Sequence, residues 1–253
     1  MTGFETPQEH IDWAKTRIDA AEEAFARYAQ DGAITPVTEF DAEAGERVFK
    51  IRLVKALPME ITGPLRNALL DIKHSFDQSL FAAAQSHRCF RFAQNYPWAD
   101  SLAGVEGIID KRQSKPKSAL PQVIIDEITR QKPHEAGPRL AGGEYLIREV
   151  AKLANDKHTI GFRTNVSLTG MKFSNAMFSG SGSFLSPWDP EKQEMVIARL
   201  EPGGHFSYDD CTFGMDIFFD RAGDVGKIPV LVAARLFADH AQHVLEGFKA
   251  ICT

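Results

Sequence analysis

The groups able to do chemistry are concentrated in two short segments. The first is Arg66-Asn67 followed by Asp71-Ile72-Lys73-His74-Ser75-Phe76-Asp77-Gln78. Asp71, Lys73, His74 and Asp77 supply two carboxylates, an ammonium and an imidazole along one stretch of helix. Histidine titrates nearest neutral pH, which suits it to acid–base work, and helical spacing can place His74 near Asp71 and Gln78. Lys73 and Asp77 stand at i, i+4 and can pair across one helical turn. A solvated helix face accounts for these four residues equally well.

The second segment is Asn155-Asp156-Lys157-His158, at the end of a predicted helix. Asparagine favours the left-handed position there, and Lys157 and His158 complement the negative end of the helix dipole. Asp156 does not fit, because an acid at a helix C-terminus is disfavoured unless something pairs with it. The expectation is that Asp156 accepts hydrogen bonds from partly buried partners. It follows that the two segments meet, Asp156 or His158 pairing with Lys73 or His74. The candidate site residues are therefore Asp71, Lys73, His74, Asp77, Asp156, Lys157 and His158, none with an assigned catalytic role.

Other polar clusters read as ordinary structure. His240 and His243 share a helix near Asp239, with no third ligand evident in the sequence. His205 with Asp209 and Asp210 reads as an acidic hairpin loop. Lys111 to Lys117 reads as a basic, solvated linker, and Gly180-Ser181-Gly182 as a turn. Phosphate-loop, zinc-protease and nucleophile-elbow motifs are missing. No cofactor or metal is expected.

The elements that must position these groups follow from periodicity. Residues 6–30 predict a helix, opened by the capping box Thr6-Pro7-Gln8-Glu9, with Ile11, Ala14, Ile18, Ala21 and Phe25 on one face. Residues 47–55 alternate, with Phe49, Ile51 and Leu53 inward, which predicts a half-buried strand. Thr62-Gly63-Pro64 opens the longest helix, to about Ser86, with Leu65, Leu69, Ile72, Phe76 and Leu80 as its core stripe. Residues 90–120 read as irregular, with Tyr96-Pro97-Trp98 as a packed turn. Helices follow over 121–131 and 144–154. Strands are predicted at 161–169, 171–178, 195–200 and 212–219, and a last helix over 229–251. Helices early and strands late predict an α+β fold, a helical-bundle lobe with a mainly antiparallel sheet and a C-terminal helix. One domain over 1–253 is expected, with a helical lobe at about 6–158 that includes the strand at 47–55, and a strand-rich lobe at about 159–227.

The chain has 253 residues, 43% of them hydrophobic and 25% charged, which excludes a disordered or fibrous chain. Twenty-nine basic against 34 acidic residues leave a net charge of −5, so a nucleic-acid partner is possible but finds no support in bulk charge. Three cysteines, at 89, 211 and 252, are too far apart for a C-x-x-C pair and read as buried reduced thiols. No apolar run reaches membrane-span length and no leader is evident, so a cytoplasmic location without membrane attachment is expected. A homodimer is a candidate assembly.

An alternating strand, a proline, a long helix and, some seventy residues on, an N-x-D-K-H-like helix end together resemble a widespread group of uncharacterised bacterial proteins. The matching stretches are Phe49–Ala84 and Glu144–Phe162. The long-helix pattern of that group is distantly similar to the Arg-x4-His arrangement of HEPN domains, helical bundles that often cleave RNA in toxin or phage-defence systems. The resemblance implies an arginine on the scissile phosphate and a histidine working on the ribose 2′-OH. Here Lys73 stands at the arginine position and Gln78 at the histidine position, and glutamine cannot shuttle a proton. The expected function is a non-enzymatic structural or interaction protein. The alternative is a HEPN-like, RNA-associated protein whose ribonuclease site is altered or inactive.

Overall fold

A computed structural model describes residues 3–89, 95–115, 119–134, 145–156, 160–220 and 224–252. Its described residues form six α-helices and eight strands paired antiparallel, an α+β fold. The chain divides into two compact units: Met1–Ala21, Gly63–Ile160 and Leu231–Thr253 in one, Glu22–Thr62 and Gly161–Val230 in the other.

The first unit is helical. Helix α1 (Glu5–Gln30) buries Ile11, Ala14 and Ile18 at the predicted spacing. Helix α2 (Met59–Ser86) begins before Thr62, because the Pro58 carbonyl accepts the amides of Ile61 and Thr62 and so starts the first turn. Leu65, Leu69, Ile72, Phe76 and Leu80 are fully buried, as the stripe predicts. Tyr96 packs edge-on and Trp98 tilted against Phe76, at 5.4 and 4.9 Å, so the Tyr-Pro-Trp turn is indeed packed.

The irregular reading of 90–120 requires correction. Helix α3 (Leu102–Gln113) lies there, capped by Ser101, whose hydroxyl accepts the Gly104 amide at 3.2 Å. Two glycines weaken its apolar pattern, so the cap rather than periodicity marks it. Lys111, Arg112 and Gln113 end this helix, and Arg112 is buried rather than solvated. Helices α4 (Gln122–Gln131), α5 (Tyr145–Asn155) and α6 (Val230–Ala250) follow closely as expected. At Gly247 of α6 a side chain would collide with the Glu127 carboxylate of α4.

The second unit holds the strands. Strands β1 (Ile34–Asp41), β2 (Glu46–Leu53), β6 (Glu194–Leu200) and β5 (Gly182–Phe184) form one sheet in the order β1-β2-β6-β5. The early strand β2 therefore pairs with a late one. Its register with β6 slips between Phe49 and Lys50, and Val48, not Phe49, joins Ile51 and Leu53 in the core. The extra residue of this bulge is Ile197 on β6, while β2 stays in unbroken register with β1. Gly180 and Ser181 bend as expected, but strand β5 begins at Gly182, which was also expected to belong to the turn. Gly182 lies so close to the Arg199 backbone that only glycine fits, and this close pairing makes the segment an edge strand. Strands β3 (Phe162–Ser174) and β8 (Asp210–Phe219) pair over most of their length, merging two predicted strands into one. Strands β4 (Met177–Ser179) and β7 (His205–Ser207) form a short ribbon. Phe206 meets Phe49 at 5.4 Å and Phe173 at 5.7 Å, joining these pairs through aromatic edges.

Candidate metal centre on the helical unit

The polar groups along the ridge of α2 differ in exposure: His74 faces solvent, Lys73 is half-buried, and the two aspartates are buried. Asp71 and Asp77 are each only 8% exposed, and Ser75 and Ser79 are fully buried, their hydroxyls donating to helix carbonyls at 2.6 Å. The ridge divides into two sites with different chemistry.

Asp77 belongs to a closed structural network. Its Oδ1 accepts the Tyr96 amide at 2.7 Å, and its Oδ2 accepts Lys73 Nζ at 3.3 Å. Arg112 donates to the Asn95 carbonyl, and its guanidinium feels the Asp77 charge. Tyr96 Oη donates to Gln131 Oε1 at 2.5 Å, and Gln131 in turn donates to Glu127 at 2.6 Å. Asp77 was expected to pair with Lys73 at the surface. The pair exists, but it is buried and shared with backbone.

Asp71 faces the other way, toward α1. Its Oδ1 lies 3.5 Å from His10 Nδ1, and its Oδ2 lies 2.6 Å from Arg17 Nε. His74, one helical turn beyond Asp71, brings its ring to 5.5 Å from that of His10. One donor atom each from His10, Asp71 and His74 falls within 4.8 Å of the other two. The contacts are close but poorly directed: His10 Nδ1, Arg17 Nε and Asp71 Oδ2 are all buried, and none has a hydrogen bond. Burial holds the His74 imidazole below its ordinary value, the nearby His10 and Lys73 adding to this and the two aspartates opposing it. A neutral imidazole is the ligand form of histidine.

The sequence reading identified Asp71 and His74 but not His10 or Arg17. These two residues lie beside the α1 apolar face at a spacing of seven, and their relation to α2 exists only once the helices pack. In the second segment, Asp156 is exposed, its amide donates to the Lys152 and Leu153 carbonyls, and its own carbonyl accepts the Ile160 amide. Asn155 is not left-handed, so the expected cap is replaced by these backbone bonds. Lys157 and His158 lie outside the described residues. Between the two neighbourhoods, Arg66 donates to the Ile160 carbonyl at 2.9 Å.

A concavity on the strand unit has a volume of about 330 Å³ and is lined by Tyr28, Asp31 and Lys55 among others. Its polar groups satisfy one another: Lys55 Nζ binds Asp31 at 2.6 Å, and Tyr28 Oη donates to the Lys55 carbonyl at 2.5 Å. The three cysteines are free and half-buried rather than fully buried, and burial raises the thiols of Cys211 and Cys252. No helix among the described residues is long and apolar enough to cross a membrane. No protein family, curated protein or solved structure matches the chain.

Proposed function

We propose that the helical unit binds one zinc-class divalent ion through His10, Asp71 and His74, as a site with an open coordination position. The observation that carries this reading is the 3.5 Å gap between His10 Nδ1 and Asp71 Oδ1. Two donors of one tetrahedral zinc, each about 2.0–2.1 Å from the ion, sit roughly 3.3 Å apart. The same gap is poor for a hydrogen bond, which explains why a buried imidazole nitrogen is left without one. A carboxylate and an imidazole three residues apart on one helix can present two ligands side by side. Imidazole and carboxylate donors together suit zinc and its neighbours. Arg17 against Oδ2 supports the ligating carboxylate from behind while Oδ1 faces the ion. Three protein ligands leave room for a water, which zinc-class ions make acidic enough to act as a nucleophile near neutral pH, so hydrolysis is the chemistry such a site performs.

Zinc titration of the full chain by calorimetry tests this. One ion per chain is expected, with affinity falling roughly tenfold or more in His10→Ala, Asp71→Asn and His74→Ala. Wild-type protein that takes up no zinc, or variants that bind as it does, would contradict the reading.

A second reading keeps the HEPN-like resemblance. It draws support from two imidazoles 5.5 Å apart beside an arginine, a set that can serve a phosphodiester without metal. Under it the partner is RNA, the assembly a homodimer and the setting the bacterial cytoplasm. Its test is RNA cleavage in the presence of a chelator, lost in His74→Ala; cleavage that needs added metal favours the first reading. The non-enzymatic reading is supported by the Asp77 network alone.

A further inference from the structure

The geometry points to a nucleoside phosphate as the ligand of this centre, with Trp13 carrying the base and Arg17 and the ion together carrying the phosphate. The inference rests on the metal reading above. His10, Trp13 and Arg17 stand at i, i+3 and i+7 on α1, so one helix face presents all three. Trp13 is 48% exposed, with its ring 5.2 Å from that of His10 and nearly perpendicular to it at 86°. A half-exposed indole beside the polar cluster is suited to stacking an aromatic ligand. Arg17 keeps 40% of its side chain in solvent, and only its Nε rests on Asp71. Its remaining guanidinium nitrogens make no hydrogen bond to the described residues and are free to clamp an oxyanion. Arg17 already balances the Asp71 charge, so the charge of a divalent ion is left over to attract an anion. Base, phosphate and ion are thus each provided for within about two turns of α1 or across to α2.

The experiment titrates the zinc-loaded full chain with AMP, adenosine, inorganic phosphate and a 5′-phosphorylated oligoadenylate, read by calorimetry and tryptophan fluorescence. AMP is expected to bind roughly tenfold or more tightly than phosphate or adenosine, the stacked base and the clamped phosphate each contributing. Trp13→Ala should reduce AMP to the affinity of phosphate, and Trp13→Phe should retain most of the preference. Both variants should take up zinc as the wild type does. Arg17→Ala should weaken AMP and phosphate alike. Oligoadenylate binding as well as AMP assigns the terminal nucleotide of RNA; AMP binding alone assigns the free nucleotide. Equal affinity for AMP and phosphate in the wild type, or an unchanged preference in Trp13→Ala, would overturn the inference while leaving the metal site standing. Failure of the wild type to bind zinc would overturn both.

Discussion

Asp71 and Asp77 are equally buried on one helix, yet their surroundings give them opposite roles. Asp77 is saturated by a backbone amide and a lysine, so removing it strands both partners. Asp77→Ala should therefore cost about 1–3 kcal/mol in urea melts. Asp156→Ala, at an exposed helix end, should cost less. Asp71 accepts no hydrogen bond at Oδ2, so Asp71→Asn should disturb metal-free stability less than Asp77→Asn does, while weakening zinc binding roughly tenfold or more. The types and positions of Asp71, Lys73, His74 and Asp77 were legible in the sequence. The burial of Asp71 and Asp77 was not, because helix packing covers positions where a wheel projection assumes water. His10 was illegible as a ligand, because its partners lie some sixty residues along the chain and nothing local marks it.

Periodicity located α1, α2, α4, α5 and α6 and the main late strands, since each buries one regular stripe. It failed where other local chemistry decides. Helix α3 depends on Ser101 as its cap, and Ser101→Ala should cost about 0.5–2 kcal/mol by thermal melt. Strand β1 escaped notice because only alternate residues are even half-buried along much of its length and Pro36 interrupts it. Strand β5 looked like a turn because Gly182 serves close backbone approach, while Gly180 just before it does take a left-handed turn conformation. Gly182→Ala should force β5 away from β6 and cost roughly 1–3 kcal/mol in the same assay, more than the same change at Gly107 of α3, where nothing lies within reach of an added Cβ.

At the scale of the whole molecule, the α+β class was legible because helices cluster early and strands late. The interleaving of its two units was not, because β2 pairs across 140 intervening residues or more. On the strand unit, Lys50 and Arg52 both bind Glu39 and Glu194 at 2.6–2.9 Å. Burial tends to raise the Glu194 carboxyl, but the hydrogen bonds from Lys50 and Arg52 prevail and hold it below its ordinary value of 4.5. Its stabilising contribution is thus complete above that value and is lost as pH falls through the lower folded one. Glu194→Gln should flatten the acid limb of a stability–pH curve measured by denaturant melts. Zinc, binding the folded chain alone, should raise the melting temperature with concentration, and a chelator should reverse the shift. The most direct measurement is anomalous diffraction at the zinc edge from crystals of the zinc-loaded protein. The account predicts one strong peak bonded at about 2.0–2.2 Å to His10, Asp71 and His74, with Arg17 still against the second carboxylate oxygen. An ion bound elsewhere, with His10 and Asp71 still in bare contact, would contradict it.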